Sequence, residues 1–274
     1  MTAVPLVTVV QARVGSSRLP RKILLPLGGA TVLERMVERV ALATRGGVVV
    51  VATTTDPADD DIEALCGRMG VACYRGDPID LLDRHYQVAR ALGAGAVAKV
   101  PSDCPLIDPA IIDRVIGAYF EAPGRWDYVS NLHPPSYPDG NDVEVCSFAA
   151  LDAAWHRATR PFEREHTTPF LWERPEQFRL RNVAWEIGAD LSKSHRVVLD
   201  YVEDYEVIRR AYEALAAADV RFSVADVVHY LDAHPDVAAL NERYRGVNWY
   251  RHHLGELRTV SAADTQHAPE EVPT

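Results

Sequence analysis

The sequence predicts a three-layer αβα fold around a doubly wound, mostly parallel sheet, and three observations carry that expectation. Short runs of β-branched and apolar residues recur at 7–10, 48–52 and 96–100 and are almost uniformly apolar, as strands covered on both faces are. Between them lie segments of helical periodicity, such as Leu33, Met36, Val37, Val40 and Ala41. Each run gives way at once to polar residues, and strand carboxyl ends are where open α/β sheets gather ligand-binding loops.

The chain has 274 residues, 47% of them hydrophobic, enough for one large α/β domain with a small appendage. Residues 1–220 are expected to form the main domain, with a small antiparallel insertion at about 132–190. Residues 221–258 read as a helical appendage, and 259–274, rich in Ala, Pro, Glu and Thr, as a disordered tail. The net charge of −10 argues against nucleic acid as a partner, because a broad basic surface is missing. There is no signal-peptide pattern and no apolar run near the roughly 18 residues of a membrane span, so no membrane partner is expected. Cys66, Cys73, Cys104 and Cys146 lack C-x-x-C spacing and read as core thiols of a cytoplasmic protein.

Taken in order, the first strand runs into Gln11, Ala12 and Arg13, then the small-residue turn Gly15-Ser16-Ser17, then Arg18, Arg21 and Lys22. Small residues let backbone N–H groups approach an anion, and the cations neutralise phosphate charge. This reads as a polyphosphate cradle, with a solvated basic loop as the alternative. Neither G-x-x-x-x-G-K-[ST] nor G-x-G-x-x-G is present. Thr31 and Glu34 form a capping box that opens a helix ended by Gly46-Gly47. After the second strand, Asp56, Asp59, Asp60 and Asp61 open another helix, where acids complement its dipole; that reading is preferred to a metal site. A short third strand spans 71–74, and the helix after Asp77-Pro78 carries Asp83 and Arg84, which on residues alone read as an exposed pair.

The strand at 96–100 delivers Asp103, flanked by Pro101 and Pro105, to the same sheet edge as the cradle. One carboxylate facing substrate phosphates is how Mg2+ is normally held. Asp108 reads as an N-cap with Pro109 at the first helical position. A strand at 127–131 precedes a proline-rich loop, 132–142, suited to rigid binding. Residues 143–145 continue as a strand, and Ser147 caps a helix. Residues 178–183 read as an antiparallel strand, and 195–200 as a strand ending in Asp200, whose residue-level role is an N-cap for the helix beginning near 202. Two short helices, 223–233 and 235–242, make the appendage, which residues 248–251 pack down.

The order Gln11-Ala12-Arg13-x-Gly15-Ser16-Ser17-Arg18-Leu19-Pro20-x-Lys22 resembles the N-terminal signature of the CMP-sugar synthetase superfamily, and within it the spore-coat polysaccharide biosynthesis cytidylyltransferase branch. Further segments follow in the family's order: Gly76 to Arg84, Asp103-x-Pro105-Leu106-Ile107, Tyr137-Pro138-x-Gly140, Arg164-Glu165-His166-x-Thr168-Pro169 and Asp200-x-x-Glu203-Asp204-x-Glu206. The likeness runs from about residue 7 to about residue 244.

The resemblance implies a nucleotide-diphospho-sugar transferase-like fold, a homodimer, and the reaction CTP + acidic acceptor → CMP-acceptor + pyrophosphate. It implies Arg13, Arg18 and Lys22 on the triphosphate and Gln11, Ala12, Gly15, Ser16, Ser17, Ser102 and Asp103 around the nucleotide. Asp103 and Asp200 would hold Mg2+, and Asp83, Arg84, Asn131, Tyr137, Asp139, Arg164, Glu165 and His166 would border the acceptor. His166 as a proton acceptor is the weaker reading, since a helical His beside Glu is often structural. The chain departs from the pattern at Arg21, where the family often has glycine, and at Ser102, where this branch more usually has glycine. Phosphonate or phosphate acceptors also suit a basic pocket. A nucleotide-sugar glycosyltransferase of the same fold would show an Asp-x-Asp pair on a central strand, which Asp59-Asp60-Asp61 matches only loosely. A non-catalytic nucleotide-binding regulator would lack one of the two aspartates, and both are present.

Overall fold

Burial on both faces is what the apolar first run encodes. In the computed structural model, which describes residues 6–266, Val7 and Val9 pack into one core with Val50 and Leu82, while Val10 and Ala12 pack into another with Met36 and Ile112. The chain runs β1 (Leu6–Gln11), a hairpin of β2 (Pro26–Leu27) and β3 (Ala30–Thr31), α1 (Val32–Ala41), β4 (Val48–Thr54), α2 (Asp60–Met69), β5 (Ala72–Gly76), α3 (Leu81–Leu92), β6 (Ala96–Pro101) and α4 (Pro109–Phe120). It continues through β7 (Tyr128–Ser130), β8 (Glu144–Ser147), α5 (Phe148–Arg157), α6 (Pro161–His166), α7 (Pro169–Trp172) and β9 (Leu180–Asn182), and then α8 (Val202–Ala216), α9 (Val224–Ala233) and α10 (Pro235–Ala238).

The sheet order is β5-β4-β1-β6-β8-β7-β9. Every neighbouring pair is parallel except the two made by β8. Helices α1, α2 and α4 cover one face, and α3, α5 and α7 the other, giving three layers. The chain leaves β1 toward β4 and β5, then crosses back to β6 on the far side of β1. That reversal opens a crevice at the carboxyl ends of β1 and β6, the general ligand position in such sheets.

The caps follow the sequence. Thr31 and Glu34 form the capping box of α1, Asp108 accepts from Ala110 N at the start of α4, and Ser147 accepts from Ala150 N in α5. A third core joins α8, α9 and α10 to the β2–β3 hairpin through Leu27, Ile208, Tyr212 and Val227.

Three expectations need correction. The strand near 178–183 is not part of a separate antiparallel insertion: β9 pairs in parallel with β7 at the sheet's edge, and the small antiparallel sheet is the β2–β3 hairpin. Residues 195–200 form no strand, making only one parallel bridge between Asp139 and Arg196, because the Leu199 N–H turns to Asp103 O at 2.8 Å. Residues 259–265 are not part of a disordered tail: Thr259 N donates to Glu173 at 2.8 Å, Lys193 donates to Ala263 O at 2.6 Å, and Thr265 is buried. Residues 267–274 lie outside the described residues.

The fold also buries neutral histidine. His85 is 0% exposed in α3, its Nδ1–H donating to Leu81 O at 2.9 Å, and burial pushes its pKa down to about 3. Burial likewise takes His133 to about 4 and His166 to about 3. The folded chain keeps these rings neutral, while the unfolded chain protonates them near the ordinary value of about 6.5. Their contribution is therefore complete above that value and falls as pH drops toward the folded values. Denaturant titrations between about pH 6.5 and 4 should show stability falling by up to about 1.4 kcal/mol per pH unit for each such histidine, and His85→Asn should flatten that slope by one histidine's share. An unchanged slope would remove His85 from the acid limb.

Candidate functional site

The cradle is folded by its own backbone. Ser16 N and Arg21 N both donate to Val14 O, at 2.9 and 3.0 Å, and Leu19 N donates to Ser16 Oγ at 3.3 Å. A carboxylate braces it from below. Asp59, 2% exposed, accepts from Val14 N at 2.8 Å and from the Thr54 hydroxyl. So the acidic group at the α2 entrance is neither a metal site nor the Asp-x-Asp pair of a glycosyltransferase. Asp59 shapes the loop, and Asp61 pairs with Arg21 at 2.6 Å on the surface.

Two distant acids meet the cradle. Lys22 Nζ lies 3.0 Å from Asp103 Oδ2, 2.9 Å from Asp200 Oδ1 and 2.6 Å from Leu199 O. Arg18 Nη2 donates to Asp200 Oδ1 at 2.6 Å. Burial works against the Lys22 charge, but the two carboxylates outweigh it and hold its pKa above the ordinary lysine value. Burial likewise opposes the charge of Asp200, yet Lys22, Arg18 and Arg196 keep its carboxyl well below the usual range.

Asp200 is braced in turn. Arg196 donates to Asp204 at 2.9 and 3.0 Å, to Asp139 at 3.0 Å and to Asp200 at 3.4 Å. Asp204, fully buried, accepts from Asp200 N and Tyr201 N, each at 3.0 Å, and from Asn241 at 2.8 Å.

A cavity of about 430 Å³ opens over this group. Gln11, Ala12, Arg13, Gly15, Ser16, Ser17, Arg18, Lys22, Arg84, Ser102, Asp103, Glu165, His166 and Asp200 all line it. Asn131, Tyr137 and Asp139 instead line a smaller neighbouring cavity of about 100 Å³ with Asp142 and Lys193. Two expected residues line neither. Asp83 accepts from Trp155 Nε1 at 2.7 Å and from Gln87 at 2.9 Å, and Arg164 donates to Asp80 at 2.5 Å and to Trp155 O at 3.0 Å. Both tie α3 to α5 and α6.

The residues that sequence reasoning missed come from the far end of the chain. Trp249 stacks on His166 with ring centroids 3.8 Å apart and lines both cavities, and His252 and His253 complete the larger one. The only signal was the aromatic cluster at 249–250, which reads as packing. The His166 backbone is fixed from behind: Lys99 Nζ donates to His166 O at 3.1 Å and to Glu144 at 2.5 Å, and Glu144 also accepts from Tyr128 OH at 2.6 Å.

The donor set suits a hard divalent cation. Two carboxylate oxygens already converge on one positive charge, the Lys22 ammonium. Among the described residues no set of three or more His, Cys, Asp and Glu side chains is arranged to hold a metal unaided, so phosphate oxygens and water would have to complete a shell, as they do for Mg2+.

Residues 7–223 match a family described as cytidylyltransferase. The spore coat polysaccharide biosynthesis protein SpsF of Bacillus subtilis is 30% identical, covering 85% of this chain and 97% of that protein. The 3-deoxy-manno-octulosonate cytidylyltransferase of Leptothrix cholodnii is 36% identical over 66% of this chain and 68% of its own. A solved cytidylyltransferase from Leptospira borgpetersenii superposes with a TM-score of 0.81 at 31% identity, covering 86% of this chain and 97% of that one.

The departure at Arg21 has a conformational consequence. Its φ is 58°, in the left-handed region, so the turn that glycine makes without strain is made here by a residue with a Cβ. Arg21→Gly should therefore be more stable than Arg21→Ala by about 1 kcal/mol in denaturant unfolding, since both lose the exposed Asp61 pair and only glycine relieves the backbone. Equal stabilities would show that the turn is unstrained.

Proposed function

The chain belongs to the cytidylyltransferase family, and from that premise we propose that it transfers CMP from CTP to an acidic sugar, releasing pyrophosphate. It is a CTP-dependent nucleotidyltransferase. The acceptor class is supported by relatives whose names specify a spore-coat polysaccharide and 3-deoxy-manno-octulosonate. The observation that carries the reading is the Lys22 ammonium held between Asp103 and Asp200 at the mouth of the cradle.

The triphosphate lies across the cradle, with Arg18 and Lys22 drawing charge from its β- and γ-phosphates and Arg13 adding a third cation. The acceptor oxygen attacks the α-phosphorus in line; the new P–O bond forms as the bond to the β-phosphate oxygen breaks, and the acceptor hydroxyl gives its proton to solvent water. Asp103 and Asp200 are the residues that would hold Mg2+, which supplies charge neutralisation at the α-phosphate and the leaving pyrophosphate when bound. Entry of the nucleotide draws Lys22 and Arg18 from the carboxylates toward phosphate. The smaller cavity with Asn131, Tyr137 and Asp139 receives the acceptor; Trp249 lines it as well as the larger one, and Arg196 links its Asp139 to Asp200. The protein's work is placement and charge neutralisation, which dominate phosphoryl-type transfer.

Incubating the protein with each nucleoside triphosphate, Mg2+ and a panel of acidic sugars, phosphonates and phosphorylated small molecules, and measuring pyrophosphate, tests this. Release should require CTP and a sugar acid; release only with phosphonates or phosphates would overturn the acceptor class. Asp103→Asn and Asp200→Asn should each lower turnover by on the order of 100-fold or more while circular dichroism stays native. Wild-type rates in either variant would end the paired-carboxylate assignment.

A further inference from the structure

Two thiols meet at the end of α2 remote from the cradle. Cys66 lies in the last turn of α2, Cys73 is the second residue of β5, and neither is in a disulfide. The packing sets them face to face. Cys73 packs into the core that holds Ile62, Leu65 and Cys66, whereas its neighbour Tyr74 packs into the core on the other side of the sheet. Alternation puts Arg75 on the same side of β5 as Cys73, and helical spacing puts Glu63 on the same side of α2 as Cys66. Arg75 donates to Glu63 at 2.8 Å. Three residues on along α2, about 4.5 Å, Cys66 comes opposite Cys73, two residues or about 6.6 Å back along β5. The turn between them is closed by Val71 N, which donates to Cys66 O at 3.0 Å. The two sulfurs are hydrogen-bonded to each other.

The pair is unequal. Cys66 is 1% exposed, while Cys73 is only half-buried and within reach of solvent. The hydrogen bond from the Cys66 thiol lowers the pKa of Cys73 and raises that of Cys66. Thiolate is the attacking form, so Cys73 is the sulfur that reacts first. Cys104 and Cys146 lack these features: both are buried, and burial pushes their thiols up, Cys146 to about 12.

We infer that Cys66 and Cys73 form a reversible disulfide site, closed by a low-molecular-weight disulfide such as oxidised glutathione. The Cys73 thiolate, its proton already given to water, attacks one sulfur of that disulfide; the new S–S bond forms as the old one breaks, and one thiolate leaves. Cys66 gives its proton to that thiolate, and its sulfur attacks Cys73 Sγ. The second thiolate departs and takes a proton from water. Two protein thiols are thereby oxidised by two electrons, and one small disulfide is reduced to two thiols. The closed bond clips to β5 the end of the helix whose start is Asp59, the brace of Val14 N.

The test is to treat the full chain in native buffer with oxidised glutathione, cap the remaining thiols with N-ethylmaleimide in denaturant, and measure the intact mass and the linked peptides. Wild type should cap two of its four cysteines, with the Cys66 and Cys73 peptides joined. Dithiothreitol should return all four thiols. The oxidised chain should melt about 5 °C higher than the reduced one. Cys66→Ser should stop at a single glutathione on Cys73, and Cys73→Ser should take up none at Cys66. Four capped thiols in wild type, a bond involving Cys104 or Cys146, or closure only in denaturant would overturn the inference. A melting temperature lowered by oxidation would also overturn it, since the bond would then not fit the native unit. If Cys66→Ser does not fold, Cys73→Ser at the half-buried position and the wild-type peptide map decide the matter.

Discussion

One ammonium holds the site in readiness. Lys22 comes from the start of the chain, Asp103 from its middle and Asp200 from its last third, and the lysine nitrogen sits within 3.0 Å of both carboxylates. Two carboxylates at the end of a crevice would repel each other and splay. A single positive charge between them keeps both aimed at one point, before any substrate arrives. The same contact orders the cradle, because Lys22 also donates to Leu199 O, and Leu199 N donates to Asp103 O. Placement of charge is most of what this chemistry needs, so an arrangement set in advance saves reorganisation during the reaction.

The support beneath is also ionic. Arg196 is buried and grips Asp139, Asp200 and Asp204 together. Such groups are expensive to desolvate and contribute little net stability, but they fix direction, because each oxygen has a stated partner. Asp204 shows the effect: it receives two backbone N–H groups at the turn into α8 and so sets the carboxylate of Asp200. The main domain and the C-terminal helices are joined at this point, through Asn241 on Asp204 and on Arg196 O.

Local chemistry was legible in the sequence. The cradle, Asp103 and the strands β1, β4 and β6 announce themselves by an abrupt change from β-branched residues to small and charged ones. Capping boxes and proline positions were readable for the same reason, since each involves residues within four positions. What was not legible depends on distance. Asp59 looks like a helix-entry acid and serves instead to brace a loop 45 residues earlier. Residues 195–200 have strand composition, yet their hydrogen bonds go to Asp103 and Asp139 across the crevice. β9 joins the main sheet at its edge, in parallel, through a three-residue pairing too short to carry its own signal. Asp83 and Arg164 look like site residues by their motif neighbours, but in the fold they link helices.

The wall formed by Trp249, His252 and His253 lies beyond the residues 7–223 that the family shares. Translation proceeds from the other end, at about 5–20 residues per second, and domains gather as they emerge. A nascent chain thus displays its cradle, and later its paired acids, while the pocket is still open on one side. The chamber closes only once residues 249–253 have joined the fold, behind walls that every earlier segment has already built.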